Sequence, residues 1–143
     1  MGSSIVDSYD LQRFVEAQSD SIARAQAELR AGRKDTHWMW YVFPQIAGLG
    51  QSTTARKYAI SSRDEARAYL NHPVLGARLL ECTSLVIAVN GRSIEEIFGY
   101  PDYMKFHSSM TLFAHAAEDN RIFKDALKKY FGSKFDGQTV ERL

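Results

Sequence analysis

Three clusters in this chain combine residue types and spacings that could do chemistry. The first is Thr36 to Gln45, THWMWYVFPQ, which packs Trp38, Trp40, Tyr41, Phe43, His37 and Gln45 into ten positions. Aromatic rings fill cores, and they also wall pockets that hold planar or sugar-bearing ligands. Trp38 or Trp40 would stack a base and Gln45 would read its edge, whereas composition assigns most of the other rings to packing. His37 and Gln45 are the polar residues of the segment that point to a site.

The second cluster is AGLGQSTTARKYAI, where Gly48, Gly50, Ser52, Thr53 and Thr54 precede Arg56 and Lys57. Free amides at a helix start, with hydroxyls and cations nearby, suit an anion. The spacing is neither a Walker motif nor a full dinucleotide fingerprint, so a capped helix start is the simpler reading and Lys57 the residue to follow. The third cluster is DYMKFHSSMTLF. On a helix, Lys105 stands three and four positions before Ser108 and Ser109, opposite a stripe of Phe106, Met110 and Phe113. Such a trio would hold a phosphate or carboxylate. A serine nucleophile would need a positioned base and an oxyanion hole as well.

Other chemistries find no support. His37, His72, His107 and His115 make no metal-binding spacing, and the lone Cys82 lies in the apolar run LLECTSLVIAV, which marks it as a buried, inert thiol. No metal and no cofactor is expected from any motif, and there is no GxSxG elbow or kinase set.

The elements that must position these clusters read as helices. SDSIARAQAELRAG starts at Ser19 or Asp20 and stops at Gly32, and DLQRFVEAQ before it makes a shorter turn or two. Ser62 with Glu65 and Ser93 with Glu96 fit capping boxes. His72-Pro73 breaks one helix and opens the next, in which Leu75, Leu79, Cys82, Val86 and Val89 recur on one stripe; this is the expected central helix. Pro101 opens a helix with Phe106, Met110, Phe113 and Ala117 inward, and Asp119 or Asn120 caps one that ends at Gly132. From Ser133 on, a loop and a final turn are expected. Only WMWYVF carries any strand signal. The fold class is therefore all-α, a compact irregular bundle of about six or seven helices in a single domain spanning 1–143.

At 143 residues and 45% hydrophobic content the chain can bury a core without staples. Its 18 basic and 17 acidic residues leave a formal charge of +1, which offers no field for nucleic acid or an anionic membrane. One cysteine suits a reducing compartment, the start MGSSIVDSYD lacks a secretory pattern, and Val6 stands where a myristoylation motif needs serine or threonine. The expected localisation is cytoplasmic.

HWMWYVFPQIAGLGQS, ARKYAIS, YLNHPVLGARLLECT and KFHSSMTLF, in this order over nearly the whole chain, closely resemble the bacterial family known as domain of unknown function 1810. The resemblance implies a cytosolic, chiefly helical, single-domain protein. Its characteristic positions would be His37, Trp38, Trp40, Pro44, Gln45, Gly48, Gly50, Ser52, Tyr58, His72, Pro73, Gly76, Lys105, Ser108, Ser109 and Phe113. Some members have carried the label calpastatin, which the folded, amphipathic pattern here does not support. VFPQ, TARKYAI and HPVLGARL are also faintly similar to the NADAR-like proteins, all-helical enzymes acting on N-glycosidic links. Where those proteins carry a glutamate-histidine pair this chain has Gln51, Ser52 and Thr53, so the resemblance implies ligand binding rather than their catalysis.

Two functional readings follow. In one, the aromatic segment meets the Lys105, Ser108 and Ser109 face around a hollow that takes a small nucleotide-like ligand, ADP-ribose-like or a phosphorylated sugar, for binding or N-glycoside processing. In the other, exposed aromatics form a surface for protein partners, with a homodimer as the simplest case. A cleft that gathers Trp40, Gln45 and Lys105 favours the first; a flat patch with those residues scattered favours the second.

Overall fold

Capping chemistry sets where the helices of this chain begin and end. The computed structural model describes residues 7–143, so the reading of the amino terminus around Val6 lies outside the described residues. Ten helices follow one another there: α1 (Gln12–Ser19), α2 (Ile22–Arg30), α3 (Met39–Val42), α4 (Thr53–Lys57), α5 (Arg63–Asn71), α6 (Leu75–Ala88), α7 (Ile94–Phe98), α8 (Asp102–Ala116), α9 (Arg121–Phe131) and α10 (Gly137–Glu141). The all-α class holds, with more helices than the six or seven expected. The additions are chiefly α3, α4 and α10, of four or five residues each, too short to show a helical period in sequence.

Ser93 and Glu96 form the expected box, with the Ser93 hydroxyl accepting from Glu96 N at 3.1 Å and the Glu96 carboxylate accepting from Ser93 N at 2.8 Å. At Ser62 only half of the box forms. Its hydroxyl accepts from Glu65 N, but the Glu65 carboxylate turns to the amide and hydroxyl of Ser61 and to Arg13, which meets it at 2.9 Å. Helix α2 starts at neither Ser19 nor Asp20; its N-cap is Ser21, whose hydroxyl donates back to the Ala17 carbonyl instead of capping. Gly132 closes α9 in the left-handed conformation at φ 60°, where a Cβ would be strained.

The expected stripe of α6 faces inward, with Leu75, Leu79, Cys82 and Val86 all buried. Burial pushes the Cys82 thiol up to about 12, so it stays protonated and unreactive. Helix α8 is the more enclosed of the two long helices. It is buried on nearly every side because α5, α7, α9 and α10 all pack on it. Phe106 of α8 anchors an aromatic knot with Phe98, stacked at 4.9 Å, and Phe43, edge-on at 5.0 Å. Burying a ring of that size contributes about 2–3 kcal/mol. Between α5 and α6 the chain turns through His72-Pro73 so tightly that a Cβ at Gly76 would run into the Leu70 carbonyl oxygen.

WMWYVF is not a strand. Among the described residues the one strand-like feature is a parallel bridge between Ile46 and Ile60, made by Ala47 N to Ile60 O and Ile60 N to Gln45 O, both at 2.8 Å. It ties the segment after α3 to the segment after α4, and those two segments frame the site. None of the helices described is long and apolar enough to cross a membrane.

Candidate functional site: a two-lobed cavity between the aromatic segment and helix α8

Helix α3 is a single turn, which is marginal by itself, so its position comes from polar anchors at either end. On the N-terminal side, Glu28 of α2 accepts four hydrogen bonds, three on Oε1 from Asp35 N (2.8 Å), Thr36 N (3.0 Å) and Trp38 Nε1 (3.0 Å) and one on Oε2 from Thr36 Oγ1 (2.6 Å). Burial works to raise the pKa of this carboxyl, but the bonds from Thr36, Asp35 and Trp38 outweigh it and hold the group at about 2. On the C-terminal side, the Gln18 amide donates to the Tyr41 carbonyl at 2.6 Å and to Tyr69 Oη at 3.0 Å. Burial raises the Tyr69 phenol well above its ordinary range, so it remains a donor, and it reaches the same Tyr41 carbonyl at 3.3 Å.

Pinned in this way, the segment divides its side chains. Trp38, Met39, Val42 and Phe43 are buried in the core, Trp40 and Tyr41 are half-buried, and His37 is exposed. A helical register carried through the whole segment would group Trp38 with Tyr41 and Gln45. Because α3 ends after one turn, at Phe43-Pro44, that grouping does not form.

The second wall comes from the loop and short helix after Ile46. Gly48 takes φ +100° beside the Arg142 guanidinium, and the Ser52 hydroxyl caps α4 by accepting from Ala55 N at 3.1 Å. The glycine-rich stretch thus forms a capped helix start, the simpler of the two readings. Arg13 of α1 fixes its far end through the carbonyls of Lys57 (2.8 Å) and Ala59 (2.9 Å).

Two cavities adjoin here, one between the aromatic segment and the loop with α4, the other between that loop and α8. The first, of about 250 Å³, is lined by Trp40, Gln45, Gly48, Gly50, Arg56 and Tyr58 among others. The second, of about 320 Å³, is lined by Tyr103, Lys105, His107, Ser108, Phe131 and Asp136, and again by Gln45 and Gly50. Gln45 and Gly50 therefore stand where the lobes adjoin. The Lys105 ammonium lies 4.9 Å from the Trp40 ring centroid, close enough for a cation–π contact, so the stretches near positions 40 and 105 meet, with Trp40 lining the first cavity and Lys105 the second.

Of the residues expected at the site, Trp40, Gln45, Lys105 and Ser108 come together. The others do not. Trp38 is 1% exposed and its indole N–H is taken by Glu28, so it has no free face to stack a base. His37 is exposed, with its carbonyl near the Tyr41 hydroxyl, and lines neither lobe. Lys57 packs its ammonium over the Tyr58 ring at 5.3 Å, and its neighbour Arg56 reaches the cavity instead. Ser109 is fully buried away from both lobes, and its hydroxyl has no hydrogen-bond partner. Ser108 is close to Asp136, whose Oδ2 lies 3.1 Å from its hydroxyl and also accepts from the Thr139 hydroxyl at 2.6 Å.

Several lining groups had no signal in the sequence. His107 stacks flat on Phe131 at 4.0 Å and its Nε2 contacts the Lys134 carbonyl at 2.8 Å, which requires Nε2–H to donate. Asp136 belongs to the tail read as a loop. Behind the lining, Asp102 pairs with Lys105 at 3.4 Å and with Lys34 at 2.8 Å, and no motif in the sequence marked either pair. A wider groove of about 580 Å³ lies elsewhere, where the ends of α5 and α8 meet α9, and includes Arg67, Asn71, Leu80, His115 and Phe123. It gathers none of the aromatic-segment residues and sets no cation beside an aromatic face, so the two-lobed cavity is the better candidate.

Comparison with protein families matches residues 8–143 to the family described as "Protein of unknown function (DUF1810)". The chain belongs to this family. Among solved structures it is similar to the crystal structure of the conserved hypothetical protein Rv1873 from Mycobacterium tuberculosis, with 57% sequence identity, 96% of this chain and 98% of that chain covered, and a TM-score of 0.95. Comparison with the curated proteins gave no match. That identity and TM-score support the overall helical arrangement of this chain.

Proposed function

We propose that this protein binds a small, planar, anionic ligand of the nucleotide or ADP-ribose type in the two-lobed cavity. The observation that carries the reading is the convergence of Trp40, Gln45 and Lys105 at adjoining lobes, with Lys105 set against the Trp40 ring. Each lobe pairs aromatic surface with a cation, Trp40 and Tyr58 with Arg56 in one, Tyr103 and Phe131 with Lys105 in the other. That composition suits bases or sugars joined through phosphate. The individual volumes lie near the lower end of ligand sites, roughly 300–1,000 Å³, which fits a compact ligand in one lobe or an extended one across both. The VFPQ and TARKYAI stretches, which resemble NADAR-like proteins, include Gln45, Arg56 and Tyr58 of this wall.

Binding rather than turnover is the core of the reading. N-glycoside hydrolysis needs a carboxylate to handle the proton, and the cavity offers Asp136, whose Oδ2 is already engaged by Ser108 and by the Thr139 hydroxyl and amide. Calorimetric and thermal-shift titration with ADP-ribose, NAD, AMP and flavin precursors tests the proposal. A stabilisation of about 2.7 kcal/mol is expected at a ligand concentration a hundredfold above Kd. It should be lost in Trp40→Ala and Lys105→Gln and kept in Lys57→Ala. The absence of any response at millimolar ligand would overturn it, and chromatography of the same mixtures for released base reads turnover directly.

A further inference from the structure

Two lysines share one carboxylate at the edge of the second lobe. Lys34 comes from the loop after α2, where its amide donates to the Ile97 carbonyl at 2.7 Å and its side chain is only 6% exposed. Its ammonium meets Asp102 Oδ2 at 2.8 Å and lies 5.1 Å from the Trp38 ring centroid. The other carboxylate oxygen, Oδ1, meets Lys105 at a looser 3.4 Å, and Lys105 is the more exposed of the two lysines at 23%. The trio carries two positive charges and one negative. The shorter, better-covered contact belongs to Lys34, so the unbalanced charge sits at the Lys105 end, which is the end that lines the cavity beside Trp40.

We propose that Lys34 is a positioning residue for an anion subsite. By engaging Asp102 it leaves the Lys105 ammonium free to bind the phosphate group of the ligand. The proposal rests on the ligand-site reading above and assigns the anion to one place in it. A single buried ion pair would need one lysine; a second cation on the same carboxylate leaves net charge in a partly desolvated place, which an anionic ligand completes. Asp136, the other carboxylate of this lobe, is occupied by Ser108 and Thr139 and does not compete for Lys105 at hydrogen-bonding distance.

The test is titration of the whole chain with inorganic phosphate and with AMP, read by calorimetry and indole fluorescence, for wild type, Lys34→Gln, Lys34→Arg, Asp102→Asn and Lys105→Gln. In Lys34→Gln, Asp102 turns wholly to Lys105, and phosphate affinity should fall about fivefold; in Asp102→Asn the carboxylate's competition is gone and affinity should rise by about the same factor. Lys34→Arg restores binding and Lys105→Gln abolishes it. The opposite signs are decisive, because Lys34→Gln and Asp102→Asn break the same ion pair, and damage to folding would weaken binding in both. If both variants move the same way, or neither moves, the inference is overturned, as it is if wild type binds no phosphate. Should Lys34→Gln fail to fold, the rise in Asp102→Asn carries the test alone. Phosphate binding with this pattern but no binding of nucleotides would sink the nucleotide assignment and keep the subsite. Nucleotide binding that is lost in Lys105→Gln but equal in wild type, Lys34→Gln, Lys34→Arg and Asp102→Asn would do the reverse.

Discussion

Glu28→Gln isolates what the carboxylate charge contributes to holding the aromatic segment. The amide has nearly the same shape, and its oxygen can still accept from Asp35 N, Thr36 N and Trp38 Nε1, the three donors now on Oε1. What disappears is the negative charge. A carboxyl held at about 2 in the folded chain against 4.5 in the unfolded one corresponds to roughly 3 kcal/mol at neutral pH. Solvent around a half-buried side chain screens this to about 1.5 kcal/mol. Because the folded value is the depressed one, the stabilisation is complete above the unfolded pKa and is lost as pH falls from about 4.5 towards about 2. Urea unfolding at 25 °C should therefore show the variant less stable than wild type by about 1.5 kcal/mol near pH 7, with the gap closing near pH 2–3. Other carboxylates titrate equally in both proteins and cancel in the difference. A gap that stays constant down to pH 3 would refute the reasoning, since a shape defect has no reason to follow this titration.

Three further outcomes follow from the packing. Gly76→Ala forces a Cβ against the Leu70 carbonyl, a backbone atom that cannot swing aside, so denaturant unfolding should show a loss of about 3 kcal/mol or more, or no folded protein. Ser109→Ala removes a buried hydroxyl that has no partner, so stability should be unchanged or rise by up to about 1 kcal/mol, and ligand titrations should be indifferent to it. Cys82, with its thiol pushed up to about 12 by burial, should resist a disulfide reagent at pH 8 in the folded chain and react in full only in denaturant.

The parts of the fold that could be read from sequence are those where a local signal and the tertiary outcome coincide. The α6 stripe and the Ser93 box are legible because four turns of period, or a serine and a glutamate three apart, carry their own physics. Glu65 shows the limit. The same serine-to-glutamate spacing stands at Ser62, but Arg13, 52 positions upstream, offers a stronger partner, and no local pattern announces it. The candidate site fails in the same way. Lys105 and Ser108 lie one helical turn apart and were legible as a pair, whereas Ser109, one residue on, rotates into the core. Arg56 and Lys57 are equally cationic in sequence, and only the orientation of a five-residue helix, set by Ser52 and Arg13, turns the first inward to the cavity and the second away.

The one-turn helix of the aromatic segment splits adjacent rings between two environments, the core and the cavity proposed to bind ligand. Trp38 is bonded to Glu28 and wedged against Phe43 and Phe98, so it determines where α3 begins. Trp40, two residues on, is carried by that turn to the cavity and to Lys105. Stability and ligand affinity should therefore separate cleanly between two tryptophans only two positions apart. Trp40→Ala gives up a half-exposed ring and should cost about 1 kcal/mol of stability with loss of binding, while Trp38→Ala empties a buried volume and should cost about 3–5 kcal/mol, weakening binding only as α3 loosens. If the two variants instead lost stability equally, Trp40 would be a core residue, and the two-lobed cavity would lose the wall on which its ligand is meant to stack.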